Sequence, residues 1–262
     1  MEREIKIGII GYGNMGQAMA KGLVEKSGFP AENILACAGH FEKLKENAAK
    51  LGIGAVQTAK EVAEKSDWII LAVKPYQLEG VIIPIQDILK SKLVISVAAG
   101  YHFEKYEGML LPGTHYICTV PNTPISVGEG ILVCEEKHSL SDKEWDCFTD
   151  VFGKIALIET VGTEKLSIAG TISGCAPAFT AMYLEALADA GVKYGLTRGA
   201  AYRLAAKMVC GTGKMYLEEG KHPGEMKDAV CSPGGTTIRG VAALEKTGMR
   251  GSIIAAIEAI EG

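Results

Sequence analysis

The stretch Ile5 to Gly16 reads IKIGIIGYGNMG, a short apolar run that meets Gly11, Gly13 and Gly16 and passes into a helix-forming segment from Met15 to Glu25. Strand, tight glycine turn and helix, in that order, open a dinucleotide-binding βα unit. The first glycine permits the turn, the second lets a pyrophosphate approach the backbone, and the third lets helix and strand pack closely. Free N–H groups at the helix start, reinforced by the helix dipole, then receive the anion. A plain βα turn is the other reading of the same residues. The position of the glycines between an apolar run and a helix favours the dinucleotide.

A chain of 262 residues, 48% hydrophobic and 22% charged, has material for an ample core and for two domains or one large one. The net charge of −4 offers no long-range attraction to nucleic acid or acidic membrane, so an anionic cofactor must be held by local groups. The seven cysteines, Cys37, Cys118, Cys134, Cys147, Cys175, Cys210 and Cys231, are odd in number and scattered, with no C-x-x-C, which points to reduced thiols. His40, His102, His115, His138 and His222 show no metal-ligand spacing either, so no metal is expected. No apolar run reaches the ~18 residues of a membrane span, and MEREIKIG has no leader core. A cytoplasmic protein without nucleic-acid or membrane partners is expected.

Beyond the first unit, Ile34 to Ala38 reads as a second strand and Glu42 to Leu51 as its helix. An Asp or Glu closing that strand would bond the ribose 2′-OH of NAD and repel a 2′-phosphate. Here the strand closes on Ala38, Gly39 and His40, with Lys43 following, which leans toward NADP(H). Glu42 fills the acidic role if the register shifts by a turn. Gly54 to Val56 is a third strand candidate, Thr58 to Lys65 a helix, and WIILAV at Trp68 to Val73 a buried parallel-type strand. Lys74 and Pro75 start the next helix, and Lys74 falls either on the cofactor side, beyond the strand carboxyl ends, or on the solvated surface. Leu93 to Val97 runs into Ala98, Ala99 and Gly100, small residues against which a ligand can lie. His115 to Val120 leads into the polar turn Pro121 to Pro124. Gly130 to Cys134 and Ile155 to Glu159 flank a helix at Asp142 to Phe152, with strand directions not readable from pattern.

From Thr163 no strand candidate remains. Ala176 to Tyr194, with Phe179, Met182, Tyr183, Leu184 and Leu187, is apolar nearly all round and must be covered on every face. About a hundred residues of helices hardly bury it alone, which predicts a subunit interface of interleaved chains. Thr197 caps the following helix, whose methionines read as core filling. Asp228 to Ile238, DAVCSPGGTTI, concentrates polar groups: two glycines, two threonine hydroxyls and a helix N-terminus suited to a carboxylate. A loop with an ordinary Thr N-cap is the alternative.

These stretches together resemble pyrroline-5-carboxylate reductase. GYGNMG, AVKP at Ala72 to Pro75, SVAAG at Ser96 to Gly100, PNTP at Pro121 to Pro124, EALADAGVKYGL at Glu185 to Leu196, HPGEMKD at His222 to Asp228 and SPGGTTI occur in family order over essentially the whole chain. The resemblance implies an α/β fold, a Rossmann-type NAD(P)-binding domain over 1–161 followed by an all-helical dimerisation and substrate domain over 162–262, and hydride transfer from NADPH to the C=N bond of 1-pyrroline-5-carboxylate to give L-proline. NADH is the alternative cofactor. It implies that Gly11, Tyr12, Gly13, Asn14, Met15, Gly16, Ala72, Val73, Lys74, Pro75, Ala98 and Asn122 surround the cofactor. Ser232, Gly234, Gly235, Thr236 and Thr237 would hold the substrate carboxylate and ring nitrogen, with Thr237 on that nitrogen as the catalytic contact. It further implies a homodimer, often assembled into rings. Cys118 stands where an arginine is common and Ala59 where an asparagine approaches the ribose, while Cys175, Ala176 and Phe179 replace the usual Ser, Gly and Tyr. Two other readings compete: reduction of a related cyclic imino acid, and a non-catalytic NADP sensor. A 3-hydroxyacid dehydrogenase needs a lysine in the long interdomain helix, and Ala176 to Val192 has none.

Overall fold

A computed structural model describes residues 4–262. Met1 to Arg3, the start of the stretch expected to lack a leader, lie outside the described residues. The chain divides into two compact units, one through Gly174 and the other from Cys175 to Gly262.

The first unit is built on β1 (Ile7–Ile10), α1 (Asn14–Glu25), β2 (Ile34–Cys37), α2 (Phe41–Leu51), β3 (Gly54–Ala55), α3 (Ala59–Lys65) and β4 (Trp68–Leu71). It continues with α4 (Leu78–Ile82), α5 (Gln86–Leu89), β5 (Leu93–Ser96), α6 (Phe103–Glu107), β6 (His115–Pro121), β7 (Gly130–Glu135), α7 (Asp142–Phe152), β8 (Ala156–Val161) and the short α8 (Leu166–Gly170). The strands form one sheet in the order β3-β2-β1-β4-β5-β6-β7-β8. Strand order reverses between β1 and β4, which opens a crevice at their carboxyl ends, the place where ligands bind in such sheets.

Apolar runs without alternation produce strands buried on both faces. Ile7 and Ile9 of β1, and Trp68 and Ile70 of β4, pack with Met19 and Leu23 of α1 and Phe148 and Phe152 of α7. The intervening residues Ile10, Ile69 and Leu71 face Val62 of α3, Leu78 and Ile82 of α4 and Tyr106 of α6. The two-residue strand period therefore loads both helical layers from the same short runs.

β1 through β6 pair in parallel. β7 runs antiparallel to β6, and β8 parallel to β7. Link length explains both directions. A single 3-10 turn, Thr123–Val127, joins β6 to β7 and can only return the chain, whereas α7 between β7 and β8 supplies the crossover that parallel pairing needs.

A π-helical turn, Thr171–Cys175, leads out of the first unit. The second unit is helical among the described residues: α9 (Ala176–Lys193), α10 (Arg198–Glu219), α11 (Pro223–Ala229), α12 (Thr236–Lys246) and α13 (Met249–Glu261). Thr197 caps α10 by accepting from the Ala200 amide. In α9 only Ala188 is buried, and Met182, Leu204, Met208, Met215, Ile253 and Ile254 are exposed in the single chain. Met208 and Met215 of α10, read as core filling, thus lie open in the single chain and leave apolar surface uncovered. No helix among the described residues is long and apolar enough to cross a membrane.

Candidate functional site

The turn after β1 shows what each glycine does. Gly11 has φ +102°, and a Cβ there would lie 2.6 Å from the carbonyl of Ala72. A Cβ on Gly16 would lie 2.3 Å from the Gly11 oxygen, so this glycine is what lets α1 sit against the turn. Gly13 differs: it is the N-cap of α1, no side chain caps the helix, and a Cβ would meet nothing within 4 Å. The approach to the uncapped N–H groups is open, a geometry that fits a pyrophosphate.

Tyr12 points the other way. Its ring is buried in the core, its hydroxyl has no hydrogen-bond partner, and burial pushes it up to about 12. Only its backbone, whose carbonyl accepts from Gln17 Nε2 at 3.1 Å, belongs to the turn's outer surface. Asn14 is exposed and Met15 half-buried.

Ala72, Val73, Lys74 and Pro75 follow β4 beside this turn, with the Ala72 amide donating to the Ile10 carbonyl at 2.8 Å. Lys74 is exposed and its side chain makes no hydrogen bond or ion pair among the described residues. The strand expected through Val73 stops at Leu71 because the chain turns into the 3-10 helix Pro75–Gln77.

The loop after β5 is held from beneath. Ser96 Oγ contacts the Tyr106 hydroxyl and accepts from the Ala98 amide at 3.3 Å, while Thr119 Oγ1 donates to the Ser96 carbonyl at 2.8 Å. Glu135, wholly buried at the end of β7, accepts from the Phe103 amide at 2.7 Å and from the Thr163 hydroxyl at 2.5 Å. Sequence reading singles out Ala98 but not the side chains that support it, Tyr106 and Glu135. Its one available signal is a carboxylate ending an apolar strand, ILVCE. Asn122 is buried, its Oδ1 accepting from the Ile131 amide at 2.8 Å and its Nδ2 donating to the Ser173 carbonyl at 3.0 Å. Its amide thus ties the PNTP turn to β7 and to the π-helical turn.

Cys118 lies inside the sheet's second core, where burial, followed by the nearby Glu135 charge, pushes its thiol well above the ordinary range. Among the described residues His102, Glu104 and Glu135 bring potential ligand atoms within 4.8 Å of one another. Lys137 Nζ already donates to Glu104 at 2.9 Å, and that bond, with help from His102, holds the carboxyl down at about 2.

In the second unit, Ser232 to Gly235 precede α12, and Thr236 and Thr237 are its first two residues. Gly235, not a threonine, is the N-cap, and no side chain caps the helix. The ordinary Thr N-cap is thereby ruled out. Gly234 has φ +67°, and a Cβ on Gly235 would fall 2.4 Å from Ser232 Oγ. Ser232, Thr236 and Thr237 are exposed, and their hydroxyls have no hydrogen-bond partner among the described residues. Three hydroxyls and an uncapped helix start form a cluster of donors suited to a carboxylate.

A protein of Treponema pallidum (strain Nichols), pyrroline-5-carboxylate reductase, is 44% identical over 259 residues, covering 97% of this chain and 98% of its own length. The chain belongs to the pyrroline-5-carboxylate reductase family. The family's Escherichia coli K12 member is 36% identical over 97% of this chain and 95% of its own. The family model for pyrroline-5-carboxylate reductase dimerisation matches residues 163–261, and that for NADP oxidoreductase, coenzyme F420-dependent, matches residues 6–100. Among solved structures, the Plasmodium falciparum pyrroline carboxylate reductase with NADP bound superposes with a TM-score of 0.86 at 30% identity, covering 98% of this chain and 95% of that one.

Proposed function

We propose that the chain reduces the C=N bond of 1-pyrroline-5-carboxylate to L-proline at the expense of NADPH. The observation that carries this is the donor cluster at Ser232 to Thr237, three free hydroxyls over the uncapped start of α12, in a chain whose other unit presents an open glycine turn. Membership of the family and the NADP-bound relative support it.

When bound, NADPH supplies the hydride. The chain's own residues bind and align. Gly11, Tyr12, Gly13, Asn14, Met15 and Gly16 form the turn that receives the pyrophosphate on the free backbone N–H groups at the start of α1, the Gly11 amide being spent on the Cys37 carbonyl, and Ala72 to Pro75, Ala98 and Asn122 line the rest of the cofactor. Ser232, Gly234, Gly235 and Thr236 hold the substrate carboxylate. Thr237 bonds the ring nitrogen, and because a threonine hydroxyl is a weak acid its contribution is mainly to orient the ring. Imine reduction asks little more of side chains, since positive nitrogen already draws hydride.

The functional domains follow the boundaries 1–161 and 162–262. The protein works in the cytoplasm as a homodimer through interleaved second units, which assemble further into rings. The exposed apolar side chains of α9, α10 and α13 and the dimerisation match support pairing.

Mixing purified protein with NADPH and pyrroline-5-carboxylate should consume absorbance at the reduced nicotinamide band. No loss while NADPH stays bound would overturn the reading and leave a sensor. Thr237→Ala should lower turnover and keep NADPH binding; undiminished turnover refutes the role given to Thr237.

A further inference from the structure

Glu135, at the end of β7, is a wholly buried carboxylate to which the reductase chemistry above gives no part. The sheet register sets it at the cofactor end. Cys134 pairs with Thr119, which puts Glu135 level with Cys118, and Cys118 pairs with Ser96 at the carboxyl end of β5. On its other side Glu135 pairs with Val161, two residues before Thr163. One carboxylate therefore stands between two segments that leave the sheet, the loop after β5 and the turn after β8.

Each segment takes one of its oxygens. Oε2 accepts from the Phe103 amide at 2.7 Å, and Oε1 from the Thr163 hydroxyl at 2.5 Å. Phe103 opens α6 and Thr163 opens the 3-10 turn Thr163–Lys165, and neither element has a capping bond from its own N-cap side chain. The Tyr116 hydroxyl donates to the Phe103 carbonyl at 3.2 Å, so this residue is held on both sides. The β5 loop is thus anchored at its start by Ser96 and Thr119 and at its far end by Glu135. The charge itself is expensive. Glu104 brings a second carboxylate within 4.8 Å, and Lys137, the cation beside them, donates to Glu104 at 2.9 Å and lies 4.7 Å over the Phe103 ring. A buried ion is a poor source of stability, and what it secures is a fixed geometry.

We propose that Glu135 is a positioning residue for hydride transfer, clamping the loop that carries Ala98 to the segment that begins at Thr163. The role rests on the reductase reading. In a sheet of this order β4 to β6 form the second mononucleotide half, away from the ribose contact at β2, and this half takes the end of the cofactor that carries the hydride. Ala98 lies there, between the two anchors of its loop. Glu135 is sealed from solvent and acts through the loop rather than by contact with the reactants. Without it the far end of the loop is released, and a displacement of about 1 Å in a site costs on the order of a hundredfold in rate.

Three measurements on the full chain test the role. In hydrogen exchange of the cofactor-free protein, peptides covering 97–107 and 162–170 should both exchange faster in Glu135→Ala, while those of β1 and α1 keep the parent rates. NADP+ affinity by calorimetry should stay within about threefold, since the glycine turn is untouched. The preformed enzyme–NADPH complex, mixed with excess pyrroline-5-carboxylate and no free NADPH, turns over once, and its rate constant should fall about tenfold or more. Partial unfolding would lower the amplitude and leave that rate constant alone. Glu135→Gln keeps an oxygen for the Phe103 amide and should recover most of the rate. Thr163→Val removes one bond of the two, should slow the turnover about threefold, and carries the test where Glu135→Ala does not fold. A parent rate constant in Glu135→Ala or Thr163→Val, or a loss of amplitude alone, overturns the role. So does faster exchange in only one of the two peptides of Glu135→Ala, a loss of NADP+ affinity as large as the loss of rate, or a Glu135→Gln protein no faster than Glu135→Ala. A wild-type complex that leaves its NADPH unoxidised overturns the reductase reading, and this role with it.

Discussion

In a Gly13→Ala variant the added methyl meets no atom within 4 Å and the backbone, at φ −79°, already suits alanine. The folded state loses only the N-cap preference for glycine, about 0.5–1 kcal/mol. That corresponds to roughly 1–4 °C in melting temperature for a unit of this size. Gly11→Ala is the contrasting case. At φ +102° the left-handed penalty is about 1–2 kcal/mol. The new Cβ also lies 2.6 Å from the Ala72 carbonyl carbon and 2.7 Å from the Val73 amide nitrogen, backbone atoms that can yield only by shifting the end of β4. Overpacking of this kind adds about 1–3 kcal/mol, for a total of about 2–5 kcal/mol and a melting temperature lower by on the order of 10 °C. The methyl of Gly13→Ala instead fills the space through which a phosphate would reach the α1 amides, so NADP+ affinity should fall about tenfold or more in a protein that melts almost normally. Thermal denaturation paired with calorimetric NADP+ titration separates the two effects. Wild-type NADP+ affinity in Gly13→Ala would refute the placement of the pyrophosphate, and a Gly11→Ala protein as stable as the parent would refute the steric argument.

Tyr106→Phe removes the buried hydroxyl that meets Ser96 and should cost about 1–2 kcal/mol in urea denaturation, because the Ser96 hydroxyl is left with one partner fewer; a variant of unchanged midpoint would show that the contact contributes nothing. His138 supplies a pH dependence. Burial lowers its pKa from the ordinary 6.5, and its Nδ1 accepts from the Leu140 amide at 3.2 Å, so the folded protein holds the neutral ring. As pH falls below about 6.5 the unfolded chain takes up the proton first, and stability is lost progressively down through the lower folded value. Melting temperature should drop between pH 7.5 and 5.5 and drop less in His138→Asn, whose side-chain oxygen keeps an acceptor; Glu104, at about 2, does not titrate in that window. An identical pH slope in the variant would assign the effect elsewhere.

Elements with strong local signals are legible in the sequence. The helix expected at Asp142 to Phe152 has those bounds because Ser141 and Glu144 close a capping box at its start. The direction of β7 is not legible, since hydrophobicity carries no sense of direction and only the short link after Pro121 dictates the return. Glu135 also escapes sequence reading: its partners Phe103 and Thr163 lie 32 and 28 residues away, brought together by the sheet rather than by any local pattern. Of the candidate site residues, the glycines announce their roles through spacing. Tyr12 does not, because the same motif position is compatible with a ring turned inward or outward. At Ser232 to Thr237 the sequence leaves the N-cap open between the glycine and the threonines, and the extended backbone of Gly235, at φ −68° and ψ 175°, decides it.

Three thiols are sealed within the first unit: Cys37 on β2, Cys118 on β6 and Cys134 on β7. Burial pushes Cys37 up to about 11 and Cys134 up to about 12, so thiolate is scarce at neutral pH and alkylation must wait for the chain to open. Because one of these strands lies on the β3 side of the switch point and the other two on the far side, the three cysteines are native clocks for the two halves of the sheet. Their relative rates of labelling would report whether the sheet parts at the cofactor crevice or comes undone as a single cooperative body.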